Sequence, residues 1–134
     1  MSRENLDTVG RVLDAFRDLD YDRAAAEFAA DAEWHNTDSF PGQRVCCGPN
    51  EIKAFWESLS DVFALGANAE VGQIVEHGDI VVTETHSRGR GKASGAPVEA
   101  RWGTVFELRD GKVVRAQIFG DYRRALRAAG LTEW

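Results

Sequence analysis

The sequence predicts an α+β domain in which helices pack on one face of an antiparallel sheet. In the first half of the chain, apolar residues recur at the three- and four-residue spacing of amphipathic helices. From residue 68 onward, the period shortens to about two, which is typical of strands. A length of 134 residues suits one domain, so we expect residues 1–134 to form a single unit.

The first half contains three predicted helices and one strand. The first helix has an apolar stripe made of Leu6, Val9, Leu13, Phe16 and Leu19. Alanine and glutamate, which are strong helix formers, predict a second helix at about 21–29. A short strand is expected at 32–37 and a loop at 38–48, where Pro, Gly and Ser concentrate. The third helix, at about 49–64, begins with Pro49, and its stripe comprises Ile52, Phe55, Trp56, Leu59 and Phe63.

The second half is predicted to be a meander of strands at about 69–77, 79–90, 97–108 and 112–120, followed by a helix at about 122–129. The pair Asp110-Gly111 suits a two-residue hairpin loop, which puts Arg109 opposite Lys112. Continued without interruption, this register pairs Trp102 with Phe119 and puts Asp121 on the same face; a β-bulge would shift it. Both faces of the hairpin are rich in apolar residues and the helices can cover one of them. We therefore expect a homodimer formed through the outer face of the sheet.

Composition and charge exclude several classes of function. The chain is 43% hydrophobic and 28% charged, as expected for a globular protein. A net charge of −6 argues against nucleic acid as the main partner, which usually requires a basic face. Neither a membrane span nor an apolar signal sequence is recognisable, so we expect a cytoplasmic protein. The two cysteines, Cys46 and Cys47, are adjacent and far from the histidines, so neither a metal nor a cofactor is expected.

Three segments resemble the SnoaL-like branch of the nuclear-transport-factor-2-like superfamily, which also holds ketosteroid isomerases and limonene epoxide hydrolases. These segments are "EFAADAEWHN", "CCGPNEIKAFWESL" and "FELRDGKVVRAQIFGDYRRALRAAGL". The resemblance implies a cone-shaped barrel, in which a curved sheet wraps around three N-terminal helices and encloses a deep pocket. Because this fold supports many functions, the functional residues must be matched one by one.

The match to the isomerases and epoxide hydrolases is incomplete. Ketosteroid isomerases carry a catalytic Asp where Asn36 stands here, and a helical Tyr where Val12 stands. Trp34 and Asn36 resemble the aromatic–Asn pair of the epoxide hydrolases, and Asp121 resembles their last acid. Their Arg-x-Asp motif, however, corresponds here to Glu84-x-His86.

The match to polyketide cyclases is better, because these enzymes use a His and an Asp that face each other across the cone. His86 and Asp121 resemble that pair, which makes them the candidate catalytic residues. Asp121 could equally be the N-cap of the last helix. Alternation puts Glu84 and His86 on one face of their strand and Thr83 and Thr85 on the other, and the sequence leaves open which face lines the pocket.

The remaining candidates would bind the substrate. Aromatic side chains of this kind form either plain core or the pocket wall, and the candidates are Phe16, Trp34, Trp56, Trp102 and Phe119. Asn36 could orient a substrate carbonyl or hold a water. Glu84 completes the set.

Three hypotheses of function follow, one catalytic and two non-catalytic. The first is a cofactor-free acid–base enzyme, either an isomerase, a cyclase or an epoxide-hydrolase-like enzyme, that acts on an apolar metabolite with a carbonyl or an epoxide. Asp121 would transfer the proton, with His86 as its partner. The alternative is a non-catalytic module that binds a hydrophobic small molecule, or a dimeric accessory protein.

Overall fold

The computed structural model describes residues 2–36, 45–62, 69–90 and 97–131, with side chains at 4–36, 45–58, 70–86 and 101–131. Four helices are α1 (Ser2–Arg17), α2 (Tyr21–Ala25), α3 (Gly48–Val62) and α4 (Tyr122–Ala128). Six strands are β1 (Phe28–Asn36), β2 (Val45–Cys47), β3 (Ala69–His77), β4 (Ile80–Arg90), β5 (Pro97–Arg109) and β6 (Lys112–Phe119). Phe63, the Leu59 side chain and most of the predicted 38–48 loop lie outside the described residues.

The α+β prediction is confirmed, and the described strands form one curved, unclosed sheet in the order β2-β1-β6-β5-β4-β3. Neighbouring strands are antiparallel except β1 and β6, which run parallel. The segment Val45–Cys47, which we expected to be loop, is strand β2, because it pairs with Glu33–His35 of β1.

The second helix ends at Ala25, earlier than the predicted residue 29. The Val113 backbone N–H donates to the Glu27 carbonyl oxygen at 3.0 Å, and Phe28 pairs with Val113 as the first residue of β1. Burial of the Phe28 side chain in the main core then favours the strand. Tertiary pairing therefore overrides the helix propensity of this alanine-rich segment.

The hairpin between β5 and β6 has the predicted turn. Asp110 and Gly111 have φ values of 54° and 76°, and Arg109 pairs with Lys112. The register then shifts at a β-bulge between Glu107 and Leu108, so the predicted pairs beyond Leu108 are wrong. Phe119 pairs with Gly103 instead of Trp102, which moves Phe119 to the opposite face of the sheet.

The two faces of the sheet pack against different helices. We call inner the face that carries Trp34, Phe106 and Val81, which packs against α1, α2 and α3 in the main core. We call outer the face that carries Val82 and Val105, which packs against α4 in a second, smaller cluster. The expectation that helices cover one face is therefore wrong, because α4 covers part of the other.

The described helices include none that is both long and apolar enough to span a membrane.

Candidate functional site on the inner face

A row of polar side chains crosses the inner face of the sheet. Strand pairing sets Asn36 of β1 beside Ile118 of β6, Ile118 beside Thr104 of β5, and Thr104 beside Thr83 of β4. We call Asn36, Thr104 and Thr83 the polar row. All three side chains are buried, which is unusual for polar residues and requires an account of their hydrogen bonds.

A cluster of aromatic rings packs beside one end of the polar row. Trp56 of α3 contacts Trp34, Phe16 and Phe28 edge-to-face, with ring centroids 5.5, 4.6 and 5.4 Å apart. Trp102 packs against the same core and lies opposite Thr85 on the inner face. The structure thus puts five of the candidate residues, Phe16, Trp34, Asn36, Trp56 and Trp102, in or against the inner-face core, and their role in binding stays a prediction.

The Trp34 indole fixes the orientation of the Asn36 amide. Its Nε1–H donates to Asn36 Oδ1 at 2.8 Å, and both side chains are buried. With Oδ1 occupied, the other polar atom of the amide is Nδ2, which can only donate. The indole therefore holds the Asn36 amide in one orientation at this end of the polar row.

One polar atom of the aromatic cluster and one of the polar row are enclosed without a hydrogen-bond partner in the described part of the chain. They are Trp56 Nε1 and Thr83 Oγ1, and the two residues are 3% and 0% exposed. Leaving a buried donor unpaired costs about 1–3 kcal/mol, so such atoms are rare in folded proteins. An indole N–H can only donate, and a hydroxyl can donate or accept.

Cys46 also belongs to the inner face, because it pairs with Trp34. Burial raises the pKa of its thiol, and Glu51 and Cys47 raise it further. Since the thiolate is the nucleophilic form of cysteine, this thiol is a poor nucleophile at neutral pH.

Asp121, the predicted proton-transfer group, is exposed and caps α4. Its Oδ1 accepts the backbone N–H of Arg123 at 2.7 Å, and it follows the outer-face residue Phe119. Of the two roles weighed for Asp121 from the sequence, the structure displays the N-cap. The bulge explains the difference, because the uninterrupted register had placed Asp121 on the same face as Trp102.

His86, Glu84 and Phe119 also lie on the outer face. Glu84 pairs with Gly103 and His86 with Arg101, whereas the buried Thr83 and Thr85 point inward. The inner face is therefore lined by the threonines, the second of the two alternatives that the sequence left open. The structure does not bring Asp121 or His86 together with Trp34 and Asn36.

One acidic residue was missed by the sequence reasoning. Glu76 pairs with Val81 and is the one carboxylate that strand register puts on the inner face within the described strands. Its Oε2 is enclosed without a partner among the described residues. Four strand intervals, or about 19 Å along the sheet, separate it from Trp34, so it stands far from the aromatic end. Alternation along β3 was the available signal, but the register shift between Val71 and Ile74 obscured it.

Among residues 2–36, 45–62, 69–90 and 97–131, no group of three or more His, Cys, Asp or Glu side chains could hold a metal ion.

The strand order and the packing of the helices on the curved sheet match the α+β cone fold. The family model described as the SnoaL-like domain matches residues 9–116. The chain therefore belongs to the SnoaL-like family. No curated protein matches the sequence.

Solved structures share the fold at low sequence identity. A protein from Jannaschia sp. CCS1, provisionally described as a SnoaL-like polyketide cyclase, is 21% identical to this chain. The match covers 100% of this chain and 95% of that chain, with a TM-score of 0.78. A hypothetical protein with a ketosteroid isomerase-like fold from Catenulispora acidiphila, in complex with trimethylamine, is 17% identical, with 95% of each chain covered and a TM-score of 0.73. TerC, co-crystallized with polyporic acid, is 20% identical, with 98% and 99% covered and a TM-score of 0.74.

Proposed function

We propose that the inner face of the sheet binds a small, mainly apolar molecule that carries hydrogen-bond acceptors such as carbonyl oxygens. The observation that carries this proposal is the pair of enclosed, unpartnered atoms Trp56 Nε1 and Thr83 Oγ1 on one aromatic face. An acceptor on a ligand would satisfy a donor that the described residues leave unpaired. The aromatic side chains would contribute apolar contact area.

Strand spacing limits the size of such a ligand. Trp34, which contacts Trp56, stands on β1, and Thr83 stands on β4, three strand intervals away. Three intervals correspond to at most about 14 Å along a curved sheet. A molecule of two or three fused rings could therefore approach both ends of the polar row.

Two of the structural relatives support a ligand-binding function in this fold, since they were crystallised with trimethylamine and with polyporic acid. Because these two proteins are only 17% and 20% identical to this chain, they support the fold alone. The chemical class of ligand that we propose rests on the polar row.

We do not extend the proposal to acid–base catalysis by Asp121 and His86, because both lie on the outer face. The polar row contains no carboxylate and no imidazole. Binding is therefore the function that the described geometry supports best, and isomerase, cyclase or epoxide-hydrolase activity would need a base outside the described inner face or one as remote as Glu76.

A matched pair of probes tests the proposal. Fluorenone and fluorene have the same three-ring shape, but only fluorenone has a carbonyl. We expect the protein to bind fluorenone more tightly, with Thr83→Val or Trp56→Phe reducing that preference by roughly three- to tenfold, the value of one neutral hydrogen bond. Isothermal titration calorimetry would measure both affinities.

The control is Thr8→Val, whose hydroxyl donates to the Gly111 carbonyl at 3.0 Å, away from the polar row. This variant should lose stability and keep the preference for the ketone. Equal affinity for the two probes, or no binding of either, would refute the proposal. Turnover of a ketone or epoxide that Asp121→Asn abolishes would refute the assignment of Asp121 to a capping role alone.

A further inference from the structure

A concave surface opens on the outer face, between α4 and strands β3, β4 and β5. This outer groove has a volume of about 920 Å³, which is within the range of small-molecule sites. Its walls include Arg101, Tyr122, Arg127 and Leu131. The sheet separates it from the polar row, so the two surfaces cannot share one ligand.

Two glycines shape the outer groove. A Cβ on Gly103 would stand 2.7 Å from Ala125 Cβ and 2.8 Å from Tyr122 Cα, so the glycine permits α4 to lie directly on the sheet. A Cβ on Gly72 would stand 2.5 Å from Glu84 Oε1. Gly72 adjoins the register shift of β3, and the space it leaves is occupied by the Glu84 carboxylate.

The outer groove contains arginines that have no ion-pair partner among the described residues. Arg101, Arg123 and Arg127 line it, and none of them forms an ion pair with another described residue. Arg123 and Arg127 are four residues apart and share one side of α4. Three arginines against two acids, Glu84 and Asp121, leave the lining of the groove with one net positive charge in a protein of net charge −6.

The two acids of the outer groove are held by backbone amides. Asp121 Oδ1 accepts the Arg123 N–H at 2.7 Å. Glu84 Oε1 accepts the Gln73 N–H at 3.4 Å, a weak bond that keeps the carboxylate against β3. The arginines therefore remain available to an external anion, for which a guanidinium offers paired N–H donors.

Apolar side chains and one hydroxyl complete the walls. Val75, Leu126 and Leu131 line the groove, and Leu131 is 5% exposed. The Tyr122 hydroxyl oxygen is enclosed and has no hydrogen-bond partner in the described residues. Burial raises the pKa of Tyr122, and the nearby Glu84 raises it further, so the phenol stays protonated and can donate.

We propose that the outer groove binds an amphiphilic organic anion, whose carboxylate or phosphate meets the arginines and whose apolar body lies on Val75, Leu126 and Leu131. The arginines supply charge complementarity, and the leucines supply contact area. This inference does not rest on the inner-face ligand, because no residue of the polar row lines the outer groove; Trp102 is the one aromatic candidate that borders both.

The two tyrosines make the two surfaces separately observable. The chain contains only Tyr21 and Tyr122. Tyr21 packs against Phe16 and Trp56 in the inner-face core, whereas Tyr122 lines the outer groove. Fluorine NMR of protein labelled with 3-fluorotyrosine gives one resonance for each, assigned with Tyr122→Phe.

The experiment titrates octanoate, octyl phosphate and octanol into the labelled protein. We expect the two anions to shift the Tyr122 resonance saturably and leave Tyr21 unmoved, and octanol to bind at least about tenfold more weakly. A preference between octanoate and octyl phosphate would identify the headgroup. Movement of Tyr21 alone, or equal binding of octanol, would overturn the proposal.

The double variant Arg123→Gln and Arg127→Gln should weaken octanoate binding by about tenfold or more. Arg124→Gln is the matched control, because Arg124 stands on the same helix over the Phe119 ring, with 5.9 Å to its centroid, and does not line the groove. All three arginines of α4 are exposed, so folding should be retained and can be verified by thermal melting. Unchanged affinity in the double variant would overturn the proposal even if fluorenone binding to the inner face is confirmed.

Discussion

At the scale of single residues, the role of Asp121 depends on the register of strand β6, which fixes where its side chain lies. Its backbone is extended, with φ −152° and ψ 129°, and its carboxylate caps the first turn of α4. A cap of this kind stabilises a helix start by satisfying a backbone N–H that has no partner within the helix. Because the role depends on one acceptor oxygen, it predicts different effects for two substitutions.

Asp121→Ala should lower the free energy of unfolding by about 1 kcal/mol, since the cap is lost. Asp121→Asn should lower it much less, because the amide oxygen can still accept the Arg123 N–H. Urea denaturation of both variants would measure the difference. The control is Asp31→Ala, which removes an exposed contact to Arg109 at 3.8 Å and should have a small effect. A larger loss for Asn than for Ala would contradict the capping role.

At the scale of elements, local patterns predicted some features and missed others for identifiable reasons. The helical stripe through Val9 and Leu13 and the Asp110-Gly111 turn follow from periodicity and turn chemistry. The inward direction of Trp34 and Asn36 follows from the family resemblance. The bulge beside Leu108 follows from neither, because either register satisfies the apolar pattern of β6. That single shift displaced Phe119 and Asp121 from the predicted site.

The role of Thr83 was also undetermined by sequence. Alternation defined two faces of β4, one with Thr83 and Thr85 and one with Glu84 and His86, but which face is inner depends on packing against β5 and the helices. Similarly, strand β2 depends on pairing with β1, and three residues give too short a pattern to be recognised alone.

The docking of α4 on β5 is also open to a test. Gly103→Ala should destabilise the protein by about 1–3 kcal/mol, because the added Cβ would overlap with Ala125 and Tyr122. Exchange of the backbone amide hydrogens should become faster throughout 122–131, because α4 could no longer pack closely against the sheet. Gly10→Ala is the matched control: a Cβ there meets nothing within 4 Å, and alanine in the middle of α1 should stabilise by about 0.5–1 kcal/mol. Equal effects of the two substitutions would contradict the packing described for α4.

At the scale of the whole molecule, α4 changes the basis for the expected homodimer. The helix packs mainly against β5 and contacts β6 and β4 less extensively, so a partner copy would meet the half formed by β1 and the part of β6 that pairs with it. Polar side chains occupy that half, namely Glu33, His35, Arg115 and Gln117. We therefore propose that a dimer, formed through this half, leaves the outer groove open.

Light scattering after size exclusion should give a mass of twice 14.8 kDa for the wild type. Gln117→Glu should shift the equilibrium toward monomer, because two copies would bring added negative charge into one seam. Arg127→Glu, on the other half of the outer face, should leave the mass unchanged. A wild-type mass of 14.8 kDa would rule out the dimer.

The parallel pairing of β1 with β6 imposes an order on assembly. Strands β3 to β6 are neighbours both in the chain and in the sheet, so each can pair with the preceding strand as soon as it leaves the ribosome. Strand β1 is separated from its parallel neighbour β6 by four intervening strands in the chain, so the two can pair only after β6 has been synthesised. Until then, Phe28 and Trp34 can contact Trp56 of α3 but lack their neighbours Val113 and Ala116, which leaves this edge of β1 without its hydrogen-bond partners.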